Sequence, residues 1–293
     1  MESLVFLGNF DESQSLIFGN KATQLARLLR QGFRVPNGFV VPGSLLNDVF
    51  ARVVDIPPDR EPAADFLETI RTRIEEIGIP DDHLRASIAE AARTILLSGH
   101  SKSLVARSSA SNEDGPKASF AGVFRSIHVE DIARLDDAIC KVYASRYSMK
   151  AYAYAFALRR RGHAQIPLVQ NMSVLVQEYV PSNLGGVLFT QDPAGSGKAR
   201  LEIAIGGAEK VVSGTDVLVS TVFDLLSETI DDIALSRLAR HIGLDNDPAQ
   251  FLHNLSMNAR QILEIYGKPQ DIEWVWDENI WILQTRDLTT GVR

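Results

Sequence analysis

Asp271-Ile272-Glu273-Trp274-Val275-Trp276 and Ile280-Trp281-Ile282-Leu283-Gln284-Thr285-Arg286 are the stretch on which the fold of this chain turns. Both runs alternate between two kinds of residue, the period of a strand. Only Asp277-Glu278-Asn279 separates them, so they read as a hairpin. A two-residue turn at 278–279 or a four-residue loop at 277–280 gives one register, with Glu273 opposite Gln284 and Asp271 opposite Arg286. A three-residue loop would change it. In that register one face carries Asp271, Glu273, Gln284 and Arg286. The other carries Ile272, Trp274, Trp276, Trp281, Leu283 and Thr285 and must be core. Direct cross-strand partners stand about 5 Å apart. A carboxylate and an amide oxygen at that spacing suit a hard cation such as Mg²⁺, which keeps part of its shell for phosphate oxygens. Arg286 beside them has the fork geometry that holds a phosphate. The plainer reading is a solvated sheet face with an Asp–Arg cross-strand pair.

Working back toward the N-terminus, helices and strands follow from their periods. Ala22, Leu25, Ala26, Leu28 and Leu29 form a helical stripe ended by Gly32. An apolar segment at Phe39-Val40-Val41 precedes a short helix from Ser44 to about Val53. Amphipathic helices are predicted at 63–77 and 81–98. Strands are predicted at 103–107 and 123–129, flanking a loop rich in Ser, Asn, Asp and Gly at 108–118. One long helix is predicted over 131–160. Short β-rich runs follow at 173–180, 186–190 and 200–205, then helices at 231–242 and 248–266. A helix-rich part therefore precedes a strand-rich part, with a soft boundary near residue 170. The fold class is α+β, in two parts, 1–170 and 171–293.

Composition narrows the function. The 293 residues are 45% hydrophobic and 23% charged, the balance of a globular chain. A net charge of −7 makes the chain a poor candidate for broad nucleic-acid or membrane-surface binding. The single cysteine, Cys140, excludes an intrachain disulfide and a CxxC metal cage. No leader-like segment or run of 18 apolar residues occurs, so a cytoplasmic location is expected.

Five segments, in order, carry a resemblance: GNKATQLARLLRQGFRVPNGFVVP (19–42), LVARSSASNEDGPKASFAGVF (104–124), VLVQEYVPSNLGGVLFTQDP (174–193), GGAEKVVSG (206–214) and QDIEWVWDENIWILQTRD (270–287). Together they resemble the ATP-binding domain of phosphoenolpyruvate synthase, pyruvate phosphate dikinase and rifampicin phosphotransferase. The resemblance implies an ATP-grasp-like fold, two α+β subdomains clamping a nucleotide, with ATP and Mg²⁺ as ligands. It implies that Lys21, Arg107 and Arg286 contact phosphates and act in catalysis. It makes Glu273 and Gln284 the metal ligands. Gly122, in the Ser119-Phe120-Ala121-Gly122 loop, would let backbone N–H groups approach phosphate. Gln177, Glu178, Tyr179 and Val180 would line the adenine pocket, and Glu209 would bind ribose or face a neighbouring strand. Two departures stand out: Asn20 replaces the second glycine before Lys21, and Ala208 replaces a glycine before Glu209.

Relatives of this family carry a swivelling domain with a phosphorylatable histidine. The six histidines here, His83, His100, His128, His163, His241 and His253, lie in no glycine- and threonine-rich segment of that kind. Three readings follow. The first is transfer of a pyrophosphoryl or phosphoryl group to a histidine on a separate subunit, with release of AMP. The second is a stand-alone kinase or ligase acting on a small molecule. The third is a regulatory nucleotide-binding subunit; the presence of Lys21, Arg107, Glu273, Gln284 and Arg286 argues against it.

Overall fold

The computed structural model describes residues 3–9, 15–54, 64–99, 101–111, 114–115, 118–120, 122–163, 166–206, 217–242 and 247–288. It is an α+β chain in which every strand pairing among the described residues is antiparallel. The chain divides into two compact units. Met1–Arg27 and Asn37–Tyr179 make the first, and Leu28–Pro36 and Val180–Arg293 the second. No helix among the described residues is long and apolar enough to cross a membrane.

The first unit is built on a sheet of β1 (Val5–Phe6), β2 (Gly38–Val41), β3 (Leu104–Ala110), β6 (Ser126–Val129) and β7 (Met172–Glu178), in the order β1-β2-β7-β3-β6. A small hairpin, β4 (Asp114–Gly115) and β5 (Ala118–Ser119), stands apart. β7 lies at the centre, between β2 and β3, so the first sheet extends past the change of composition near residue 170. One face of the sheet, with Phe39, Val41, Leu104, Ala106, Val174 and Val176, packs against helices α3 (Gly43–Phe50), α4 (Ala64–Ile77), α5 (Asp82–Ser98) and α6 (Leu135–Ala144). The opposite face carries Val105, Arg107 and Ser109 on β3, since side chains alternate. Helices α1 (Ser15–Phe18), α2 (Asn20–Arg30) and α7 (Met149–Arg160) complete the set in this part of the chain.

The single helix expected over 131–160 is two. α6 ends at Ala144 and a 3₁₀ turn spans Ser145–Tyr147. Ser148 then leaves the helical region and caps α7 by accepting from Ala151 N–H. A serine cap restarts a helix because its hydroxyl satisfies an otherwise orphaned donor. The turn also buries Arg146, whose guanidinium lies 5.0 Å from the ring centres of both Tyr143 and Tyr147. The strand expected from residue 123 starts only at Ser126. Phe124 is instead held in the preceding turn, stacked on Phe120 at 5.5 Å.

In the second unit β8 (Leu184–Phe189), β9 (Ala199–Ile205), β10 (Val217–Phe223), β11 (Gln270–Asp277) and β12 (Asn279–Asp287) run in the order β10-β9-β8-β11-β12. Helices α8 (Asp232–His241) and α9 (Pro248–Tyr266) belong to it. β10 was not among the strands expected from the sequence, although its Val217-Leu218-Val219 run is rich in β-branched residues. Phe251 of α9 meets Trp274 and Trp276 edge to face at 5.5 and 5.1 Å, fixing the helix over that side of the sheet. The buried Trp274 indole lies across β8 at Gly186, where a Cβ would fall 2.5 Å from the ring. Truncating such a residue costs about 3–5 kcal/mol.

Candidate functional site

The candidate residues fall on both units. In the first unit, Lys21 stands in the first turn of α2 and donates from Nζ to the Ser108 carbonyl at 3.0 Å. It is buried, 5% exposed, which a lysine tolerates only where its charge is met by acceptors. Ser109 ties the same helix start to β3. Its hydroxyl donates to Phe18 O at 2.8 Å and accepts from Ala22 N–H at 3.1 Å. Gly19 makes that approach possible. Its φ is +82°, and a Cβ there would lie 2.1 Å from the Ser109 carbonyl oxygen. The first glycine before Lys21 is therefore required sterically, and Asn20 takes the second place within α2. Arg107 is half-buried on β3, opposite Ser126 and Leu175, two residues before Ser109 and on the same face. The junction seats Lys21 on the Ser108 carbonyl, next in sequence to Arg107, which stands at the middle of β3 and not at the strand end that the sequence suggested.

Gly122 lies in a turn closed by Val123 N–H on the Phe120 carbonyl, with φ of +65° and open space where a side chain would project. Lys150 Nζ donates to the Gly122 carbonyl at 2.6 Å. The loop is anchored by Phe120, fully buried and 4.8 Å from Tyr154.

Gln177 and Glu178 end β7, and Tyr179 follows it. Gln177 is buried opposite Gly38 and Val105. The Glu178 side chain turns to the opposite face. Its Oε1 accepts from Ser101 N–H at 2.6 Å against Gly99, where any Cβ would strike the carboxylate. That side chain serves the first unit's structure, and the Glu178 N–H is engaged by the Asn37 carbonyl at 2.8 Å. Tyr179 stacks on His128 with ring centres 4.0 Å apart, and His128 Nε2 lies 2.9 Å from Ser103 Oγ. Val180 begins the second unit's main segment.

In the second unit the hairpin has the predicted register where it matters. Asp271 pairs with Arg286, Ile272 with Thr285 and Glu273 with Gln284. Two departures near the turn cancel. Asp277 pairs with Asn279 around Glu278, whose φ is +53°, so the loop is the odd one that would shift the register. A bulge at Leu283 then shifts it back. Between the two, the β12 side chains are reversed relative to expectation. Ile280 and Ile282, opposite Trp276 and Trp274, are buried, while Trp281 and Leu283 are partly exposed. A one-residue slip exchanges the faces of a strand, and this slip is confined to the turn half.

The polar face is a graded electrostatic set. Arg286 donates to Asp271 Oδ2 from Nε at 2.7 Å and Nη2 at 2.5 Å. Asp271 is 4% exposed, and its Oδ1 is buried without a hydrogen-bond partner. Burial pushes the Asp271 carboxyl above its ordinary value, opposed by the Arg286 guanidinium and reinforced by Glu273 and Glu202. Glu273 is half-buried and Gln284 is buried. Glu273 and Gln284, paired across the strands, carry oxygens of the hard kind that Mg²⁺ prefers. Among the described residues no group of three or more His, Cys, Asp or Glu side chains could hold a metal. A cation here would rely on the Gln284 amide and on waters or phosphate. Glu209 lies outside the described residues. Sequence reasoning paired Asp271 with Arg286 across the strands, as the structure does, and named Gly19 and Ser109 only as parts of motifs, without the contact between them. The signal for Asp271 was its pairing with Arg286. Nothing local marked the contact of Gly19 with Ser109.

Residues 15–293 match the family described as the pyruvate phosphate dikinase AMP/ATP-binding domain, and the chain belongs to that family. It is 31% identical to a rifampicin phosphotransferase of Streptomyces sviceus over 97% of this chain and 35% of that protein. A rifampicin phosphotransferase of Bacillus subtilis is 30% identical over 99% of this chain and 36% of its own length. A probable phosphoenolpyruvate synthase of Archaeoglobus fulgidus is 29% identical over 98% and 42%. The chain spans between about a third and two fifths of these relatives' length.

Proposed function

We propose that this chain is the Mg-ATP-binding component of a phosphotransferase of ATP-grasp-like design. It passes the pyrophosphoryl group of ATP to a histidine on a separate swivelling domain with AMP as the leaving group; where the net product is a phosphoryl group on that histidine, hydrolysis of the pyrophosphorylated histidine also frees inorganic phosphate. Membership of the AMP/ATP-binding family supports the nucleotide. The observation that carries the reading is the pairing of Glu273 with Gln284, next to Arg286 and Asp271, on one sheet face.

In this reading Glu273 and Gln284 hold Mg²⁺, which when bound supplies charge to the phosphate oxygens. The protein's own groups do the rest by position and electrostatics, since phosphoryl transfer asks for little covalent help. Lys21, held on the Ser108 carbonyl, and Arg107 offer fixed positive charge to the phosphates. The N–H groups of the turn at Gly122 approach them without side-chain obstruction. Arg286 adds a guanidinium already oriented by Asp271. Gln177, the backbone at Glu178, Tyr179 and Val180 line the base, and Glu209 reaches the ribose. Holding the acceptor imidazole and the phosphorus in line then supplies the remaining advantage.

The test is incubation with labelled ATP, with and without a phosphohistidine domain from a relative. AMP should form only when that domain is present and carries its histidine. AMP formed at the same rate without it would end the reading. The phosphate role of Arg286 needs a paired variant, because Arg286→Ala strands the buried Asp271 carboxylate at a cost of several kcal/mol. Arg286→Ala with Asp271→Asn should stay folded and lose transfer.

A further inference from the structure

Apart from the polar face of the hairpin, the second unit holds a cavity of about 300 Å³. It is lined by Gln31, Arg34, Asn254, Asn258, Gln261 and Asn279, with Phe33, Met257 and Ile280 between them. Three separate segments build it. α2 ends in a Schellman motif, with Gly32 N–H on Leu29 O and Phe33 N–H on Leu28 O, and this turns the next residues back along the unit. The Arg34 carbonyl then accepts from Ile282 N–H at 2.8 Å, fixing that strand of chain beside β12. α9 supplies Asn254, Met257, Asn258 and Gln261, spaced three and four residues apart and so on one helical face. Asn279 comes from the hairpin turn. Ile280 lies on the buried face with Trp276, the face opposite Glu273 and Gln284. Asn279 is also five residues along β12 from Gln284, about 17 Å at the rise of a strand. The cavity is therefore separate from the proposed nucleotide face.

Its chemistry is unusual for a surface. Asn and Gln together number 22 of the 293 residues, yet five of the ten lining residues are carboxamides. No carboxylate lines it, and Arg34 is its one formal charge. Carboxamides offer donors and acceptors side by side, as vicinal hydroxyls do. Asn254 Oδ1 already accepts from Gln250 Nε2 and Asn258 Nδ2 donates to the Asn254 carbonyl, so these two would meet a ligand through the Asn254 NH₂ and the Asn258 oxygen. A row of them with one guanidinium and no acid disfavours cations and metal ions. We propose that this cavity binds a small polyhydroxylated compound carrying a single negative charge, its hydroxyls on the amides and its anion on Arg34.

The side-chain NH₂ signals of Asn and Gln, assigned through single variants of the full chain, report occupancy directly and need no nucleotide. D-glucuronate, D-galacturonate and D-gluconate serve as probes, glucose and acetate as controls. At least one probe should shift the signals of Asn254, Asn258, Gln261 and Asn279 saturably, and bind several-fold tighter than glucose. Asn258→Leu or Gln261→Leu should weaken it at least tenfold with melting unchanged. Arg34→Gln should abolish the preference over glucose. Absence of saturable shifts with all three probes overturns the proposal, as does equal response to acetate, or binding untouched in both leucine variants.

Discussion

The hairpin in the second unit and the α2–β3 junction in the first assemble their polar groups by different routes. Glu273, Gln284, Asp271 and Arg286 lie within sixteen residues of sequence and meet because two adjacent strands pair. Lys21 and Ser108 are separated by 87 positions and meet because Gly19 lets a helix start touch the end of a strand. The hairpin absorbs a register error at its turn and corrects it with a bulge before the polar face is reached. The junction has no such tolerance. Its closest approach is backbone to backbone at Gly19, so one methyl group has nowhere to go. Local pairing gives a forgiving site, and a long-range contact gives a brittle one.

Substitutions sharpen that contrast. Glu273→Ala or Gln284→Ala should reduce Mg-dependent ATP turnover by about 100- to 1,000-fold, or roughly 3–4 kcal/mol of barrier. The buried face that carries Trp274 and Trp276 is untouched, so thermal melting should stay close to that of the parent chain. Full turnover in both variants would remove the metal assignment. Gly19→Ala should destabilise the first unit by about 2–4 kcal/mol, from positive-φ strain together with the clash at Ser109. Denaturant unfolding measures this, and a loss below about 0.5 kcal/mol would show that the junction is as forgiving as the hairpin.

Lys21→Ala should weaken ATP by about 10- to 50-fold, the scale of one charge-assisted contact, and leave adenosine unchanged. Equal weakening of both ligands in calorimetry would mean that Lys21 acts only through the fold. The smallest effect concerns acid stability in the second unit. Asp192 is buried, and its carboxyl is held far below the usual range by the side-chain bond from Arg200, helped by Ala194 N–H. Its contribution is therefore complete above about pH 4, the unfolded value, and is lost as pH falls below it. Asp271 runs the other way. Its raised value means its contribution grows as pH falls. Asp192→Asn should flatten the acid limb of a melting-temperature profile, and an unchanged limb would show that other carboxylates set it.

Much of this was legible beforehand. Of the expected α2 stripe, Ala22, Leu25, Ala26 and Leu28 are buried and Leu29, at its edge, is half-buried. The Asp271–Arg286 and Glu273–Gln284 pairs stand where strand alternation put them. The break at Ser148 was hidden because apolar spacing continues across it, and only the burial of Arg146 between two tyrosine rings shows why the chain turns. The exchange of Trp281 and Leu283 for Ile280 and Ile282 was hidden for a related reason. All four are apolar, so neither face announced itself.

Period, composition and short-range pairing were thus properties of the sequence by itself, and they determined the α+β class, most of its elements and the order of donors along the terminal hairpin. Contacts between distant residues were decided only in three dimensions. These are the seat of Lys21 on the Ser108 carbonyl, the turning of the Glu178 carboxylate onto Ser101, the isolation of Asp271 Oδ1 and the gathering of five carboxamides into one cavity. The physical reason is reach: hydrogen bonding along a helix or across a hairpin acts over a few residues, whereas burial depends on which remote surfaces happen to exclude water from the same place.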